Sequence, residues 1–326
     1  MKYLIAGLGS IGRRHLKNLI ALNEKDIILY RSRLSTLPDE ELKGFQVETD
    51  IKTALAHKPD AVIISNPTSM HLDMAIPAAK AGCHIFLEKP ISHSLERISE
   101  LKNALEQGKG NLLVGFQYRF HPTLKVAYQL LKEGTIGKTV SVCSHWGEYL
   151  PDWHPWENYK SSYASRSELG GGVVLTLCHP FDYLSWLFGK PEVLWAHIDT
   201  IGDLGINVED IADVCLQFPQ GAIATVHLDY LQKPASHTLE IIGTKGTMRW
   251  NNEDGLLSIY QFSTDKWEYF LPPKEFERNT MFLDQMGHFI SVVCRKAQPL
   301  CTLDDGITAL EIALKTLSSK TGGSYV

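Results

Sequence analysis

The sequence lacks a long apolar run, a CxxC pair and any block of basic residues. A membrane helix takes about 20 consecutive apolar residues, and the first apolar run, in MKYLIAGLGSIGRRH, soon breaks on glycines and arginines. We therefore expect neither a membrane span nor a signal peptide. The net charge is −5, and without a basic patch neither nucleic acid nor an anionic membrane is an expected partner.

The six cysteines have no metal-ligand or disulfide-framework spacing. Most of them lie within apolar runs typical of strands or helices. This pattern predicts reduced thiols in the core of a cytoplasmic protein, and it predicts no metal site.

What is present is an alternation of strand and helix signals over the first 120 or so residues. Short runs rich in Val, Ile and Leu, such as KYLIAGL and DAVIIS, alternate with helical patterns. Strands buried on both faces have this composition in a parallel sheet. The sequence predicts an α/β fold whose N-terminal part is a doubly wound parallel sheet.

The pattern changes after FHP, and we place a domain boundary after residue 122. From about residue 192 strand signals dominate, joined by turn-like connectors, as in an antiparallel meander. In AIATVHLDY the apolar residues share one face and the mixed residues the other. This alternation predicts an open sheet with helices on its apolar face. The last helix is predicted over TLDDGITALEIALKTLSS, with Asp304 or Asp305 as its N-cap.

A glycine fingerprint, Gly7-Leu8-Gly9-Ser10-Ile11-Gly12, follows the first predicted strand and opens a helix. In this context the glycines allow a tight turn and a close backbone approach, and the helix N-terminus receives a pyrophosphate. The pattern predicts a Rossmann dinucleotide-binding domain.

The second predicted strand ends in LYRSR, without the carboxylate that usually holds the adenine ribose. Arg31, Ser32 and Arg33 suit a 2′-phosphate, so the sequence favours NADP over NAD. The alternative is an arginine that stacks on adenine and does not contact the phosphate.

Two further segments, SNPTSMH (65–71) and IFLEKP (85–90), follow the fourth and fifth strands. A doubly wound sheet presents its ligand at these strand ends. We expect Lys89 beside the nicotinamide, with Pro90 restricting the backbone that directs it. The Lys89–Pro90 bond is a candidate for the cis form.

The whole chain resembles the glucose–fructose oxidoreductase, inositol dehydrogenase and MocA family. The resemblance is carried by the fingerprint, NP-x-x-x-H, E-K-P, GFQYRFHP, LGGGVVLTLCHPFDYLSWLFG and EIIGTKGTMRW, which occur in the family's order. It implies an NAD(P)-binding Rossmann domain over 1–122 and a substrate and oligomerisation domain over 123–326. It also implies a homodimer or homotetramer and redox chemistry at a carbon that bears oxygen in a carbohydrate.

The resemblance also assigns site residues. Lys89 matches the lysine of E-K-P, His179 the histidine of the second domain, and Asp182 the acid of H-x-x-D. The family often has an aspartate where this chain has Thr176, which leaves the proton path less defined. His179 and Asp182 have an alternative role as structural residues at a helix start.

The chemistry agrees with the catalytic assignment of Lys89 and His179. Oxidation of an alcohol removes a hydride from carbon and a proton from oxygen. A histidine is a suitable base near neutral pH, and a lysine beside a positively charged nicotinamide has its ammonium form disfavoured, so it can share the proton. We expect Glu88 to contact the cofactor or the backbone.

The expected cofactor contacts are Gly7, Gly9, Ser10, Ile11, Gly12, Arg31, Ser32, Asn66, Pro67, His71, Glu88, Lys89 and Gln117. The expected substrate contacts are Arg119, Trp153, Tyr163, Arg166, Thr176, His179 and Asp182. The aromatic loop that holds Trp153, Tyr163 and Arg166 suits a sugar-binding wall or, equally, a subunit interface. Arg119 has an alternative role as a structural residue.

The sequence therefore predicts hydride transfer between nicotinamide and a hydroxyl or keto carbon of a sugar, sugar nucleotide or cyclitol. Two alternatives stay open: a non-catalytic sensor of nucleotide or sugar with the same fold, and a glycosidase that uses bound NAD for redox-assisted elimination.

Overall fold

The computed structural model describes residues 1–31, 37 and 40–319, and the chain forms two compact units. The first unit comprises residues 1–117 and 278–307, and the second comprises residues 118–277 and those from Thr308 onward. Ser32 and Arg33, part of the predicted 2′-phosphate site, lie outside the described residues.

The first unit contains the predicted parallel sheet. Its strands, numbered along the chain, are β1 (Lys2–Ala6), β2 (Asp26–Tyr30), β3 (Gln46–Glu48), β4 (Ala61–Ile64), β5 (His84–Leu87) and β6 (Leu112–Val114). They lie in the order β3-β2-β1-β4-β5-β6, and every neighbouring pair is parallel. All four residues of β4 are buried, as a strand covered on both faces requires. The predicted doubly wound sheet is confirmed.

Among the described residues, five α-helices lie wholly in this unit: α1 (Ser10–Ala21), α2 (Ile51–Ala56), α3 (His71–Lys80), α4 (Ile98–Gly108) and α8 (Arg278–Val293). Helix α8 packs against α1 although more than 250 residues separate them. Asn279 donates a hydrogen bond to Asn18 at 3.0 Å, and the guanidinium of Arg14 lies 4.5 Å from the centre of the Phe282 ring.

The second unit contains an eight-stranded sheet in the order β14-β13-β12-β11-β7-β10-β9-β8. Its strands are β7 (Thr139–Gly147), β8 (Glu192–Asp199), β9 (Ile211–Gln217), β10 (Ile223–Asp229), β11 (Ser236–Gly243), β12 (Gly246–Asn251), β13 (Leu257–Gln261) and β14 (Lys266–Phe270). The β7–β10 pair is parallel and the other pairs are antiparallel. The predicted, mainly antiparallel sheet is confirmed.

One face of this sheet is covered and the other is open. Helices α5 (Pro122–Lys132) and α6 (Val173–Thr176) pack against the sheet, and α7 (His179–Phe188) also belongs to this unit. On β10 the apolar residues Ala224, Val226 and Leu228 are buried, whereas Thr225 is exposed and His227 half-buried. The alternation predicted for this strand is confirmed, and we call the second face the open face of the sheet.

Helix α9 (Leu303–Ser318) begins two residues earlier than an N-cap at Asp304 requires, and three earlier than one at Asp305. Asp304 and Asp305 lie in its first turn, so the prediction that one of them is the N-cap is wrong. Thr302 takes that place: its hydroxyl accepts the Asp305 N–H at 3.3 Å, and the Asp305 carboxylate accepts the Thr302 N–H at 2.7 Å. This reciprocal pair is a capping box, which supplies partners for N–H groups that the helix leaves unpaired.

All six cysteines are free thiols, but only Cys83, Cys178 and Cys301 are buried. Cys143 and Cys294 are exposed, so the prediction of core thiols is wrong for them. In β7 the exposed Cys143 lies between the buried Val142 and Ser144, because successive strand residues face opposite sides of a sheet. None of the helices in the described part of the chain combines the length and apolar character of a membrane span.

Candidate active site

The glycine fingerprint forms the tight turn between β1 and α1. Gly7 has φ +95°, and a Cβ there would lie 2.4 Å from the backbone nitrogen of Asn66. A Cβ on Gly12 would lie 2.0 Å from the carbonyl oxygen of Gly7. By contrast, apart from Gly9 itself and its chain neighbours, no atom of the described residues lies within 4 Å of a Cβ placed on Gly9. Gly7 and Gly12 therefore allow the turn to close. Gly9 leaves open space beside the backbone, so that a pyrophosphate can approach it closely.

The N-terminus of α1 suits an anion. Ser10 is exposed and Ile11 half-buried, and the first turn of the helix carries no acidic residue. Unpaired N–H groups and the helix dipole favour negative charge at such an end. The chain's own residues thus fit a dinucleotide at this turn.

Arg31 directly follows β2, where the ribose of a dinucleotide is expected. It is 8% exposed, and its backbone N–H donates to the carbonyl of Glu48 at 3.1 Å. No acidic residue stands at this strand end in place of Arg31.

The segment after β4 is held tightly against its neighbours. The Ser65 hydroxyl donates to the carbonyl of Gly7 at 2.9 Å, and the Asn66 side-chain amide donates to the carbonyl of Met70 at 3.0 Å. Pro67 precedes a short 3-10 turn that leads into α3. This loop therefore connects the fingerprint to the start of α3.

His71 connects that loop to the turn after β5. Its Nδ1 lies 2.8 Å from the carbonyl oxygen of Pro90, and its Nε2 lies 3.0 Å from that of Asn66. Burial, opposed by the charge of Glu88 and by these hydrogen bonds, lowers the pKa of His71 to about 4. The ring is 1% exposed and links these two backbone segments. Its predicted contact with the cofactor stays a prediction.

Glu88 and Lys89 lie where β5 ends. One Glu88 carboxylate oxygen lies 2.8 Å from His15 Nε2, and the other accepts the backbone N–H of Lys89 at 3.1 Å. The Lys89–Pro90 bond is cis, and Lys89 is half-buried. The Glu88 side chain thus fixes the backbone of the lysine, with the backbone contact that the sequence led us to expect.

The charge on Glu88 is retained despite its burial. Burial raises the pKa of this carboxyl, but the hydrogen bond and charge of His15, together with the charge of Lys89, outweigh it and hold the pKa below its usual value. Glu88 is 6% exposed and His15 is fully buried. The His15 and Phe86 rings form an edge-to-face pair with 4.8 Å between their centres. This pair places a negative charge directly behind the Lys89 backbone.

His179 opens α7 in the second unit and is 3% exposed. The Tyr118 ring meets the His179 ring edge-on, with 5.1 Å between the ring centres, and the Trp146 ring stacks on it with 5.3 Å between the centres. Aromatic rings prefer edge-to-face and offset-stacked contacts, and both kinds help to hold the imidazole in place.

A chain of hydrogen bonds lies behind Tyr118. Ser144 Oγ lies 2.6 Å from the Tyr183 hydroxyl, which is 3.2 Å from His237 Nε2, and His237 Nδ1 is 3.3 Å from the Tyr118 hydroxyl. All four side chains are buried. The chain fixes Tyr118 and, through ring contact, His179.

The predicted substrate residues Arg119 and Asp182 are bound to each other. The Arg119 guanidinium donates to both carboxylate oxygens of Asp182, at 2.7 to 3.1 Å. The two side chains are 3% and 1% exposed. The geometry favours the structural alternative for both residues, and their contact with substrate stays a prediction.

The other predicted residues differ in exposure. Thr176, at the end of α6, is 3% exposed and Gln117 is 5% exposed. Trp153 is half-buried, and its ring meets Tyr230 edge-on at 5.4 Å. Tyr163 is half-buried as well.

Among the predicted residues of the aromatic loop, Arg166 lines a cavity in the described part of the second unit. The cavity measures about 530 Å³ and is also lined by Lys160, Glu168 and Asn207. Arg166 is ion-paired with Glu168 at 2.7 Å.

Comparison with known proteins decides the family. Residues 1–116 match the family model for an oxidoreductase family with an NAD-binding Rossmann fold, GFO_IDH_MocA, and residues 124–249 match the model for its C-terminal domain.

The chain belongs to the GFO/IDH/MocA family. The resemblance inferred from the sequence is thereby confirmed.

Relatives within the family differ in how much of their length the chain matches. An uncharacterized oxidoreductase of Synechocystis is 29% identical over 58% of this chain, and the chain spans about half of that relative, 53%. Myo-inositol 2-dehydrogenase of Thermotoga maritima is 26% identical over 98% of this chain and 97% of its own. A levoglucosan dehydrogenase, solved in complex with NADH and levoglucosan, superposes with a TM-score of 0.86 at 19% identity, over 98% of this chain and 97% of its own. That superposition supports the fold.

Sequence reasoning missed several residues that the structure places at the candidate site. His15 follows the fingerprint and lies next to the buried Leu16 on α1. A histidine on the buried face of a fingerprint helix was the available signal, because a buried polar side chain needs a partner. His237 and Ser144 gave no such signal, since each lies in an ordinary strand pattern.

Proposed function

We propose that the chain is an NAD(P)-dependent oxidoreductase that transfers a hydride between nicotinamide and a hydroxyl or keto carbon of a sugar, sugar nucleotide or cyclitol. The observation that carries the proposal is the placement of three motifs at the carboxyl ends of adjacent strands. The fingerprint follows β1, the Asn66–Pro67 loop follows β4, and Glu88–Lys89–Pro90 follows β5. A doubly wound sheet binds its dinucleotide at this edge.

The residues that would hold the cofactor are those of the fingerprint, the loop after β4 and the Glu88–Lys89 turn. When bound, NAD(P) supplies the hydride acceptor or donor at nicotinamide C4. The names of relatives support the substrate class, because one acts on myo-inositol and another on levoglucosan.

Lys89 and His179 handle the proton of the reacting hydroxyl in this proposal. In the oxidative direction a ring nitrogen of His179 accepts the proton, and the Lys89 amine hydrogen-bonds the same oxygen and shares the charge. In the reductive direction the same groups return it. Glu88 directs Lys89 through its backbone, and the Tyr118–His237 hydrogen bond orients His179.

The test is a turnover screen with myo-inositol, levoglucosan and D-glucose, each with NAD⁺ and with NADP⁺, followed by NAD(P)H absorbance. We expect substrate-dependent reduction of the coenzyme. Cleavage of a glycoside without net NADH formation would favour the glycosidase alternative. Coenzyme binding without turnover across a broad sugar panel would favour the sensor.

We further propose a preference for NADP over NAD. It is supported by Arg31 at the end of β2, where a carboxylate would repel a 2′-phosphate. Fluorescence titration of NADPH and NADH measures it: we expect tighter binding of NADPH, and an Arg31→Ala variant should lose most of that difference. A tenfold preference for NADH would contradict the proposal.

We also propose that the protein is a homodimer or homotetramer in the cytoplasm. The support is exposed apolar side chains on strands of the second sheet, among them Val140, Trp195 and Ile242, each at least 41% exposed. Aromatic and other apolar side chains are enriched in the buried core of subunit interfaces. Sedimentation of the wild type and of a Trp195→Glu variant tests the oligomer.

A further inference from the structure

A row of histidine and aspartate side chains crosses the open face of the second sheet. Strand β10 lies between β7 and β9, and the register places His145 on one side of His227 and Asp213 on the other. In β7 the buried Ser144 contacts Tyr183 of α7, so its neighbour His145 faces the opposite side of the sheet. The row is therefore separate from the helix that carries His179.

Three side chains of this region gather their donor atoms closely. One donor atom each of His145, His227 and Asp229 lies within 4.8 Å of the other two. The two imidazole rings stack at 4.7 Å with 14° between their planes. Both histidines are half-buried and Asp229 is buried.

Asp229 is fixed in place by the backbone. Its Oδ1 accepts the N–H groups of Leu231 and Gln232 at 2.7 and 2.6 Å, while its Oδ2 lies 3.2 Å from His227 Nε2. Oδ1 of Asp229 thus stabilises the turn after β10, and Oδ2 faces the two histidines.

Gln232 brings a fourth donor. Its side-chain oxygen lies 2.6 Å from His145 Nε2. Gly147 makes room for it, because a Cβ at that position would lie 2.2 Å from both Asp229 Oδ2 and the Gln232 side-chain oxygen. The glycine on β7 is what allows these two oxygens to converge.

Asp213 contacts His227 on the side of the ring that faces away from Asp229. Its carboxylate lies 2.8 Å from His227 Nδ1, the nitrogen on the far side of the ring from Asp229. A histidine that donates one N–H to a carboxylate presents the lone pair of its other nitrogen to a metal ion, and this carboxylate–histidine–metal relay is common in metalloproteins.

We propose that His145, His227, Asp229 and Gln232 form a binding site for a divalent transition-metal ion, with Asp213 orienting His227. Two imidazoles and oxygen donors suit Zn²⁺, Co²⁺ or Ni²⁺ better than Mg²⁺ or Ca²⁺, which take oxygen ligands. Bonds of about 2.0–2.2 Å draw the donors closer together than they are without the ion. The ion takes the place of the proton between His227 Nε2 and Asp229 Oδ2, and that proton is released to solvent. His145 ligates through Nε2 after the proton that Nε2 donates to Gln232 has moved to Nδ1.

The site ties two sheet strands to the turn after β10. It uses none of the residues proposed to bind cofactor or substrate, so it does not depend on the proposed function.

The experiment is a titration of the full chain, freed of any histidine tag, with CoCl₂. Visible d–d absorption reports nitrogen and oxygen ligation, and metal analysis after dialysis gives the stoichiometry. We expect one Co²⁺ per chain and competition by Zn²⁺. His145→Ala and Asp229→Asn should each weaken binding by more than about 100-fold, and Asp213→Asn, which removes only the orienting charge, by about 10–100-fold.

The chain offers a matched control in His197. It is exposed on β8, in register with Asp213, but outside the cluster. His197→Ala should leave Co²⁺ affinity unchanged within about twofold. Asp229→Asn keeps an oxygen for the two turn N–H groups, and circular dichroism confirms that each variant is folded. Failure of the wild type to bind Co²⁺, or equal binding by the His145→Ala and His197→Ala variants, would overturn the proposal.

Discussion

Single residues show where function was readable from the sequence and where it was not. Lys89 could be placed from its motif alone, since a strand pattern runs into E-K-P. The contacts that hold Lys89 in place could not be predicted in this way, because Glu88 pairs with His15, which lies 73 residues earlier in the chain. A pairing of that separation depends on the fold, and no local pattern in one sequence encodes it.

A substitution of Glu88 tests whether this residue positions Lys89. Glu88→Gln keeps an acceptor for the Lys89 N–H but removes the charge that faces His15. If Glu88 positions Lys89, kcat should fall about tenfold or more while the Kd for NAD(P)H changes little. Steady-state kinetics and coenzyme titration separate the two quantities. A rise in Kd that matches the whole loss would make Glu88 a cofactor ligand instead.

His121 predicts how stability depends on pH. Burial, with the charge of Lys125, lowers its pKa from 6.5 to about 4. The unfolded chain therefore binds a proton more readily than the folded one, so this contribution to stability is complete above pH 6.5 and falls as the pH drops toward 4.

Denaturant unfolding at pH 7.5 and pH 5 measures this loss. The loss due to His121 should be about 2 kcal/mol at pH 5. His121→Phe keeps ring contacts with Trp250 and Phe276 but cannot titrate, so its pH dependence should be smaller by that amount. An unchanged pH dependence would show that His121 does not contribute.

At the scale of helices and strands, local patterns were informative and pairings were not. The alternation of apolar runs and helical patterns was sufficient for the parallel sheet, because buried strands need continuous apolar residues. The parallel pairing of β7 with β10 and the packing of α8 on α1 are long-range and could not be predicted. The cap of α9 was misplaced because three polar residues near its start, Thr302, Asp304 and Asp305, compete for that role.

The Arg119–Asp182 pair joins the turn at Gln117–Phe120 to α7. Removing one partner of a buried ion pair leaves the other charge unpaired and costs about 3–5 kcal/mol. Asp182→Asn should therefore lower the denaturation midpoint strongly, and the double variant Arg119→Met, Asp182→Leu should recover part of the loss.

Unfolding curves and substrate kinetics on these variants decide whether Asp182 has a structural role or contacts the substrate. A large rise in KM with Asp182→Asn at unchanged stability would instead support the substrate contact predicted from the sequence.

At the scale of the whole molecule, the central claim is that Lys89 and His179 both handle the proton of the reacting hydroxyl. The catalytic chemistry of Lys89 and His179 is a proposal, and each of the two residues is held within its own unit. Glu88 accepts the Lys89 backbone N–H, and Tyr118 packs against His179. That the two act on the same proton is the proposal on which the mechanism depends.

A double-mutant cycle in kcat/KM tests it most directly, with Lys89→Ala, His179→Ala and the double variant measured on the best substrate of the screen. Each single change should lower kcat/KM by about 10²–10⁴-fold, and the double variant should be little worse than either, because groups that act as one unit are not additive. A loss below tenfold for Lys89→Ala, or losses that multiply in the double variant, would contradict the account.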